Sequence, residues 1–399
     1  MLHHDLLEQA RGIEGEIVAL RRAIHAEPEL GLETPMTRDK VRAALSNLPL
    51  EWREGPSSTG LVATLKGGAG PGRTVLLRGD MDALPMPEET GLEFASTIPG
   101  TMHACGHDAH TAMLAGAVRL LCARQNELKG EVRFMFQPGE EGFHGAKFML
   151  EDGLLDPLPE AAFALHVMPN SKHGLVVGRT GALLASADQF EIVIEGRGAH
   201  GAMPHQGLDP VPIACEVVTA IQAMVARQFD AHDPVIATVA QIHAGTTHNV
   251  IADFATLVGT LRTLSPRHRD KLHGLLTQLA TGIAQAHGAA ARVTITPGFP
   301  VTNCDARAVA LGETVAQDLF GETAFRRLDQ PIMGAEDFSY VLEKVPGAMF
   351  FLGVAHEGVD WHKCPAIHSP RMMVDESALP KGAALLAGCA VRFLDRGWD

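Results

Sequence analysis

Apolar and polar positions in the first half of the chain follow two alternating patterns. Apolar side chains recur at helical spacing over 5–26, which predicts an amphipathic helix, and a second helix is expected over 37–48. A long apolar stretch predicts a third helix that ends near Arg124. Short apolar runs bounded by turn-forming residues predict strands at 60–65, 74–78, 131–136 and 162–165. This order indicates a twisted α/β sheet with polar residues at the carboxyl ends of its strands.

The pattern changes near residue 185. Residues 189–195 alternate with period two, as a strand with one buried face does. Helices are expected over 210–228 and 266–287, and strands over 235–242, 255–261 and 291–296. The order strand, helix, strand, strand, helix, strand is that of a ferredoxin-like unit. The sequence therefore predicts a two-domain α/β protein: a main domain of residues 1–185 and 299–399, and an inserted ferredoxin-like α+β domain of residues 186–298.

Composition restricts the possible partners. The 399 residues include 33 basic and 47 acidic side chains, a formal charge of −14, which argues against nucleic acid and anionic membrane surfaces. The six cysteines are scattered without a CxxC pair, as expected for free thiols in a reducing compartment. The N-terminus lacks a signal-peptide pattern, and no apolar run is expected to span a membrane. These features predict a cytoplasmic protein.

Residues 101–111 hold the densest group of metal-ligand side chains in the chain. Cys105 and His107 lie two apart with a glycine between them, so a thiolate and an imidazole can bind one transition ion. The alternative is a polar helix N-terminus, with Asp108 as the cap of an apolar helix. Both interpretations can hold together, because a helix start is a common place for ligands.

Paired carboxylates follow two of the predicted strands. Glu140 and Glu141 come after a strand and a Pro-Gly turn, which fits either a solvated acidic loop or a metal site. In a metal site one of them would bind the ion, while the other would face water as a general base. Asp80 and Asp82 come at the end of another strand, where they are either capping residues of a turn or partners of a metal-bound imidazole.

Two single histidines complete a possible ligand set. His166 follows an apolar strand and His368 lies in a loop near the C-terminus, and a lone histidine is more often an ordinary buried or surface residue. Together with Cys105, His107 and Glu141 they would provide five ligands. Five are too many for one tetrahedral ion with an open position, and they suit two ions that share a bridging water.

The insert carries polar groups that do not form a metal pattern. His200 lies in a glycine-rich turn, Asn249 precedes a short apolar run, and Arg262 ends a predicted strand. Donors of this kind suit an oxyanion or a substrate carboxylate. Turn structure and a paired strand arginine are the alternative.

In their order along the chain, these pieces resemble the metal-dependent aminoacylase and hippurate hydrolase family, which includes plant indole-acetyl-amino-acid hydrolases. The first three matching motifs are RGDMDALP at 78–85, MHACGHDAH at 102–110 and QPGEEG at 137–142. The later ones are GAHGAMPH at 198–205, NVI at 249–251, GTLR at 259–262, MGAEDF at 333–338 and HSP at 368–370. The resemblance extends from about Arg21 to Phe393.

The resemblance implies a role for each candidate residue. The ligands of a site for two divalent ions (Mn, Zn, Co or Ni) would be Cys105, His107, Glu141, His166 and His368. Glu140 would be the general base, and Asp82 the carboxylate behind a ligand histidine. In distant members a metal-binding histidine stands at the position of Asp80.

The resemblance also implies roles for the insert. It would be a lid or dimerisation domain above the catalytic main domain, in a homodimer or homotetramer. His200 would stabilise the oxyanion of its own or the partner subunit's site, and Asn249 and Arg262 would bind substrate. Gly139 stands where the family usually has alanine, and Ala252 where proline is common. His144 and His248 are additional imidazoles without an assigned role.

The resemblance therefore implies an amidohydrolase that cleaves N-acyl-L-amino acids, hippurate-like ones among them, with metal-activated water. A dipeptidase or an N-acetyl-diaminopimelate deacetylase with the same site is an alternative, as is a metal-binding protein without catalysis. A structural protein with incidental histidines is a further alternative. The pair Glu140–Glu141 argues against a metal-binding protein without catalysis, because metal binding alone needs no base.

Overall fold

The computed structural model describes residues 5–399, so the first four residues of the N-terminal stretch lie outside it. The described chain divides into two compact units. Unit 1 comprises residues up to Leu183, Asn303–Gln330 and Asp337–Asp399. Unit 2 comprises Leu184–Thr302 and Pro331–Glu336. The segment 331–336 had been assigned to the main domain from sequence, but it groups with the insert because Ile332 and Gly334 accept hydrogen bonds from the Ala185 N–H.

Ten helices occur among the described residues: α1 Leu6–Gly12, α2 Glu14–His25, α3 Pro35–Ala44, α4 His107–Cys122, α5 Gly145–Glu151, α6 Pro210–Gln228, α7 Pro266–Ala286, α8 Ala306–Phe320, α9 Ser339–Leu342 and α10 Leu379–Arg396. The strands are β1 Glu51–Glu54, β2 Leu61–Lys66, β3 Thr74–Asp80, β4 Glu131–Gln137, β5 Ala161–Met168, β6 Val176–Gly178, β7 Gly181–Leu184, β8 Asp188–Glu195, β9 Ala199–His200, β10 Ile236–Ala244, β11 Val250–Ile251, β12 Phe254–Arg262, β13 Ala290–Thr296, β14 Thr302–Cys304, β15 Phe325–Arg327 and β16 Gly347–Gly353.

These elements confirm the predicted α/β fold. The helix expected over 5–26 is broken at Ile13 into α1 and α2, and Ile13 has a non-helical backbone. The predicted helix over 37–48 begins earlier, because Pro35 takes the first helical position, where its missing N–H costs nothing. Strand β5 is longer than expected and contains His166 within it.

Unit 1 is built on an eight-stranded mixed sheet in the order β1-β2-β4-β3-β5-β16-β6-β15. Strands β4, β3, β5 and β16 run parallel to one another, so their carboxyl ends meet at one edge. Asp80 and Gln137 are paired last residues of β3 and β4, and His166 is near the end of β5. Polar residues of a parallel sheet collect at this edge, where such sheets keep their sites.

Unit 2 has the predicted ferredoxin-like arrangement. Its four-stranded antiparallel sheet has the order β10-β12-β8-β13, which the sequence strand–helix–strand–strand–helix–strand produces. Helices α6 and α7 pack against each other and against this sheet. The shared core contains Ile192, Val217 and Leu276, all fully buried. The period-two pattern of β8 follows from this packing, since only one face of the sheet is covered.

Within residues 5–399, two helices are long and apolar enough to cross a membrane by length and composition alone: Pro210–Gln228 and Glu376–Arg396. The expectation that no apolar run approaches this length was therefore wrong. The finding is weak evidence for a membrane span, because core helices pass the same test. Most of the second helix is buried inside the protein.

Candidate metal centre

The Cys105–His107 segment leads into α4 through a left-handed glycine. Gly106 has φ +89° and is the N-cap residue of α4, without a side-chain cap. A Cβ at this position would lie 2.3 Å from Val167 Cγ2, so only glycine fits. The prediction that Asp108 caps the helix was wrong, because Asp108 lies within the first turn. The turn at Gly106 lets Cys105 and His107 point into one buried site.

The five predicted ligands meet in unit 1. The ligand atoms of Cys105, His107 and His166 lie within 4.8 Å of one another, and those of Cys105, Glu141 and His368 form a second such group. Cys105 Sγ lies 3.3 Å from His166 Nε2, and His368 Nε2 lies 3.3 Å from Glu141 Oε1. The thiol belongs to both groups, so the two possible ion positions are neighbours.

The two glutamates occupy different positions at this site. Glu141 lies beside His107, with 4.0 Å between its Oε1 and the imidazole Nε2, and beside His368. A carboxylate oxygen of Glu140 lies within 4.8 Å of the ligand atoms of both His107 and Glu141. Glu140 is buried and is absent from the two groups that contain Cys105. This arrangement separates a ligand from a base.

Asp82 holds both glutamates and one imidazole. Its Oδ1 accepts a hydrogen bond of 2.9 Å from the Glu140 N–H, and its Oδ2 accepts one of 3.0 Å from the Glu141 N–H. Oδ1 also lies 3.4 Å from His107 Nδ1. A carboxylate behind Nδ1 directs Nε2 of the same ring toward a metal, because it fixes the tautomer.

Asp80 is enclosed by cationic and polar partners. Its Oδ2 accepts from Arg78, and its Oδ1 lies 2.6 Å from His110 Nδ1. The other nitrogen of His110 accepts a hydrogen bond of 2.8 Å from the Val167 N–H, so His110 is occupied on both sides. His110 therefore holds β5, the strand that contains His166, and is not available as a metal ligand.

The electrostatics of the site favour a cation. Burial disfavours the charged form of His107, but Asp80, Cys105 and Asp82 outweigh it and hold the pKa of His107 well above its ordinary value. The thiol of Cys105 and the carboxylate of Glu141 beside the imidazole raise the pKa of His368 to about 10. His166, which has no such partner at its Nε2 except the thiol, has its pKa lowered by burial. Metal ligation would replace these protons.

Buried polar atoms that lack hydrogen-bond partners also fit a metal centre. Within the described residues, neither ring nitrogen of buried His107 makes a hydrogen bond, and Glu141 Oε1 also lacks one. Buried polar atoms without partners are rare in proteins, and a bound ion is one explanation for them. A thiol, three imidazoles and a carboxylate are ligands that Zn, Mn, Co and Ni accept. The residues present therefore fit a metal centre.

A buried ion network behind the centre was missed from sequence. Asp108 Oδ2 accepts a hydrogen bond of 2.9 Å from Arg21 Nε and lies 2.8 Å from His25 Nδ1. His25 Nε2 lies 3.1 Å from Glu88. Arg21 and His25 lie on one face of α2, four residues apart, which could have indicated a shared partner. Next to them, burial lowers the pKa of His103 to about 3.

The predicted substrate residues of the insert lie in unit 2. His200 pairs with Val250 across β9 and β11, and the Gly201 N–H donates to the Asn249 carbonyl, so His200 and Asn249 are neighbours. Both are exposed. Arg262 is the last residue of β12, whereas Asn249 lies near the first residue of that strand. Asn249 precedes β11 and Arg262 ends β12, so the two residues expected to bind substrate lie on different elements of unit 2.

The two unassigned histidines have different surroundings. His144 has a left-handed backbone with φ +60°, and its Nδ1 lies 3.0 Å from the hydroxyl of Tyr340. Burial lowers the pKa of His144. His248 is exposed in unit 2. Among the described residues, His144 and His368 are the two non-glycine residues with positive φ.

Known proteins match this chain over most of its length. Residues 76–392 match the model of Peptidase family M20/M25/M40. An IAA-amino acid hydrolase of Arabidopsis thaliana is 38% identical over 98% of this chain and 88% of its own length. An N-acetyl-L-cysteine deacetylase of Bacillus subtilis is 36% identical over 96% of this chain and 89% of its own length.

A solved structure agrees over the whole chain. A dinuclear metal-binding peptidase of the M20 family from Bacillus subtilis is 34% identical, with a TM-score of 0.83 over 96% of this chain and 99% of its own. The resemblance inferred from the motifs is therefore confirmed. The chain belongs to Peptidase family M20/M25/M40 and is a hydrolase of amide bonds.

Proposed function

We propose that this enzyme hydrolyses N-acyl-L-amino acids, including acetyl and aroyl derivatives, at a centre for two divalent metal ions. The observation that carries the proposal is the position of Glu140, which lies beside His107 and Glu141 but outside the two groups that contain Cys105, with its backbone N–H held by Asp82. The names of the Arabidopsis and Bacillus relatives support the substrate class, since IAA-amino acids and N-acetyl-cysteine are both N-acyl amino acids.

Cys105, His107, Glu141, His166 and His368 would hold the ions. When bound, the ions supply Lewis-acid chemistry: they polarise the amide carbonyl and make a water molecule more acidic. Glu140 takes a proton from the attacking water as the C–O bond forms. It then delivers that proton to the amide nitrogen as the C–N bond breaks, which releases an acid and an amino acid.

A role for the insert is part of the proposal. His200 would stabilise the oxyanion, and Asn249 and Arg262 would bind the amino-acid part of the substrate. The exposure of His200 and Asn249 in unit 2 supports this role, because such side chains are accessible to a ligand. We also propose that the protein is a homodimer or homotetramer and that it is cytoplasmic. The six free cysteines support the cytoplasmic location.

The test of the proposed activity is a panel of N-acyl amino acids and dipeptides, assayed with Mn, Zn and Co in turn. Cleavage of acyl amino acids with kcat/KM well above that for dipeptides is expected. Preferential cleavage of dipeptides would replace the proposal with a dipeptidase. Absence of hydrolysis with every metal would contradict both.

Glu140→Gln tests the general base. The variant should bind as much metal as the wild type while kcat falls by about 100-fold or more, because an amide cannot accept the proton of water. Metal content by atomic emission and kcat on the best substrate give the two readouts. Glu343→Gln, at an exposed site, is the matched control and should retain full activity. Unchanged kcat in Glu140→Gln would show that another residue is the base.

A further inference from the structure

The two ends of the loop that carries Glu140 and Glu141 lie close together. It leaves β4 at Gln137 and enters α5 at Gly145, whose N–H donates a hydrogen bond of 3.0 Å to the Gly139 carbonyl. A Cβ at Gly145 would lie 1.7 Å from the Pro138 carbonyl oxygen, so the two ends of the loop are in close contact. A small displacement of either end would therefore move the whole loop.

One buried carboxylate holds both ends of this loop. Asp337 accepts hydrogen bonds of 2.8 and 2.9 Å from Gln137 Nε2, at the end of β4. Its Oδ2 also accepts a hydrogen bond of 2.9 Å from the Ala146 N–H, in the first turn of α5. Asp82 holds the middle of the loop through the Glu140 and Glu141 N–H groups. The loop is thus tied at its start, its middle and its end.

Asp337 is also joined to the neighbouring strand. Arg78 Nη2 donates a hydrogen bond of 3.0 Å to Asp337 Oδ1, and Arg78 Nε donates one of 2.8 Å to Gln137 Oε1. All three side chains are almost fully buried. Hydrogen bonds to a charged acceptor in such surroundings are short, strong and geometrically demanding.

We propose that Asp337 is a positioning residue for hydrolysis, because it ties both ends of the Glu140–Glu141 loop to Arg78 through one buried carboxylate. Asp337 lies outside the two groups of predicted ligands that contain Cys105, in a group with Glu140 and Glu336, and it sets the place from which Glu140 takes a proton and Glu141 binds an ion. The inference deepens the proposed function and rests on it for the kinetic consequence, whereas the loop geometry itself can be tested without any substrate.

The chemistry of Asp337 makes the conservative variant informative. Gln137 and Ala146 both present N–H donors, so Asp337 must accept on both of its oxygens. Asparagine at this position has one acceptor and one amino group, and the amino group would face a donor. Adding Gln137→Glu reverses the polarity of the Gln137–Asp337 pair: the new carboxylate accepts from Arg78 and from the amino group introduced by Asp337→Asn, and the formal charge is unchanged. The amino group still lies opposite one donor, either Arg78 Nη2 or the Ala146 N–H, so the rescue is partial.

The experiment compares Asp337→Asn, the double variant Asp337→Asn/Gln137→Glu, and Asp329→Asn as a matched control at an exposed site. In the single variant kcat should fall by about 10- to 100-fold, with KM within about threefold and metal content unchanged, because the base is displaced rather than lost. The double variant should recover part of the lost kcat. The control should match the wild type.

Amide hydrogen exchange of the metal-free proteins is the readout that does not depend on activity. The Ala146 amide and the loop amides should exchange about tenfold faster or more in Asp337→Asn than in the wild type, with recovery in the double variant. If the wild type cleaves no acyl amino acid, the proposed function fails, and the exchange data alone decide the role of Asp337.

Two results would overturn the inference. The first is wild-type kcat together with wild-type exchange of the loop in Asp337→Asn. The second is a folded double variant, loaded with metal, that shows no recovery of kcat or of exchange. Should Asp337→Asn fail to fold, the double variant decides: near wild-type kcat and loop exchange support the inference, and values far from wild type overturn it.

Discussion

At the scale of single residues, the main feature is a set of buried charges that neutralise one another beside the metal centre. Burial alone would lower the pKa of His25, but the carboxylates of Asp108 and Glu88 outweigh it and raise the pKa to about 9. Arg21 neutralises part of the charge of Asp108. His25 is thus protonated in the folded protein at neutral pH and links α2 to the first turn of α4.

This pKa makes stability depend on pH. The folded pKa of His25 is about 9 and its ordinary value is 6.5, so the stabilising contribution is complete below pH 6.5 and is lost as pH rises through 9. His25→Gln should therefore be less stable than the wild type, with a pH-dependent part of about 3 kcal/mol at pH 6 that vanishes near pH 10.

Chemical denaturation of the metal-free proteins across this pH range measures the gap. His232→Gln is the matched control, since His232 is 97% exposed and its replacement should leave stability unchanged at every pH. A gap between His25→Gln and the wild type that stays constant from pH 6 to pH 10 would contradict the assignment.

At the scale of elements, the centre depends on where strands end and helices begin. Strand β5 brings His166, the start of α4 brings His107, and the loop between β4 and α5 brings the two glutamates. Gly106 joins two of these elements because a left-handed residue lets the chain turn between Cys105 and His107. The Val167 methyl group in β5 fills the space that a side chain there would need.

Gly106→Ala should therefore weaken both folding and metal binding. A left-handed alanine in close contact with Val167 should cost about 2 kcal/mol of stability or more. Metal affinity should fall by about tenfold or more, because the variant displaces two predicted ligands.

Denaturation of the metal-free protein and a metal titration give the two values. Gly282→Ala is the control: Gly282 lies within α7 with open space around its Cα, so alanine there should stabilise the protein by about 0.5–1 kcal/mol. Equal stability of Gly106→Ala and the wild type would show that the turn tolerates a side chain.

At the scale of the whole molecule, the candidate ligands are concentrated in one unit. Cys105, His107, Glu141, His166 and His368 all belong to unit 1. Unit 2 has its own core between one sheet and two helices. A ligand stabilises the state to which it binds, so metal should act on the unfolding of unit 1 alone.

Calorimetry with and without a chelator tests this difference between the units. Two unfolding transitions are expected, and removal of metal should lower the midpoint of one while the other stays within about a degree. The protein with the ligand variant His368→Asn should show a smaller shift of the same transition. A single transition, or an equal shift of both, would show that the two units unfold together.

Features that depend on neighbouring residues in the chain were predicted from the sequence better than features that depend on contacts between distant residues. Boundaries of α6 and the order of elements in unit 2 followed from periodicity, because each helix or strand exposes a regular face to its own core. The cap at Asp108 was wrong, because α4 begins one residue earlier, at His107, and the Asp108 side chain binds Arg21 and His25 instead. The spacing of Arg21 and His25 indicates a shared partner, but it does not say which residue that partner is.

The sequence by itself determined the elements, the family and the ligand types, because periodicity and motif spacing are local properties of the chain. Only the tertiary structure decided which partners the buried polar residues have. His110 is occupied by Asp80 and Val167 while His107 is left for an ion, and Asp337 holds a loop that begins 200 residues before it. These contacts join distant segments at a sheet edge, and burial makes each of them strong only where its partner is present.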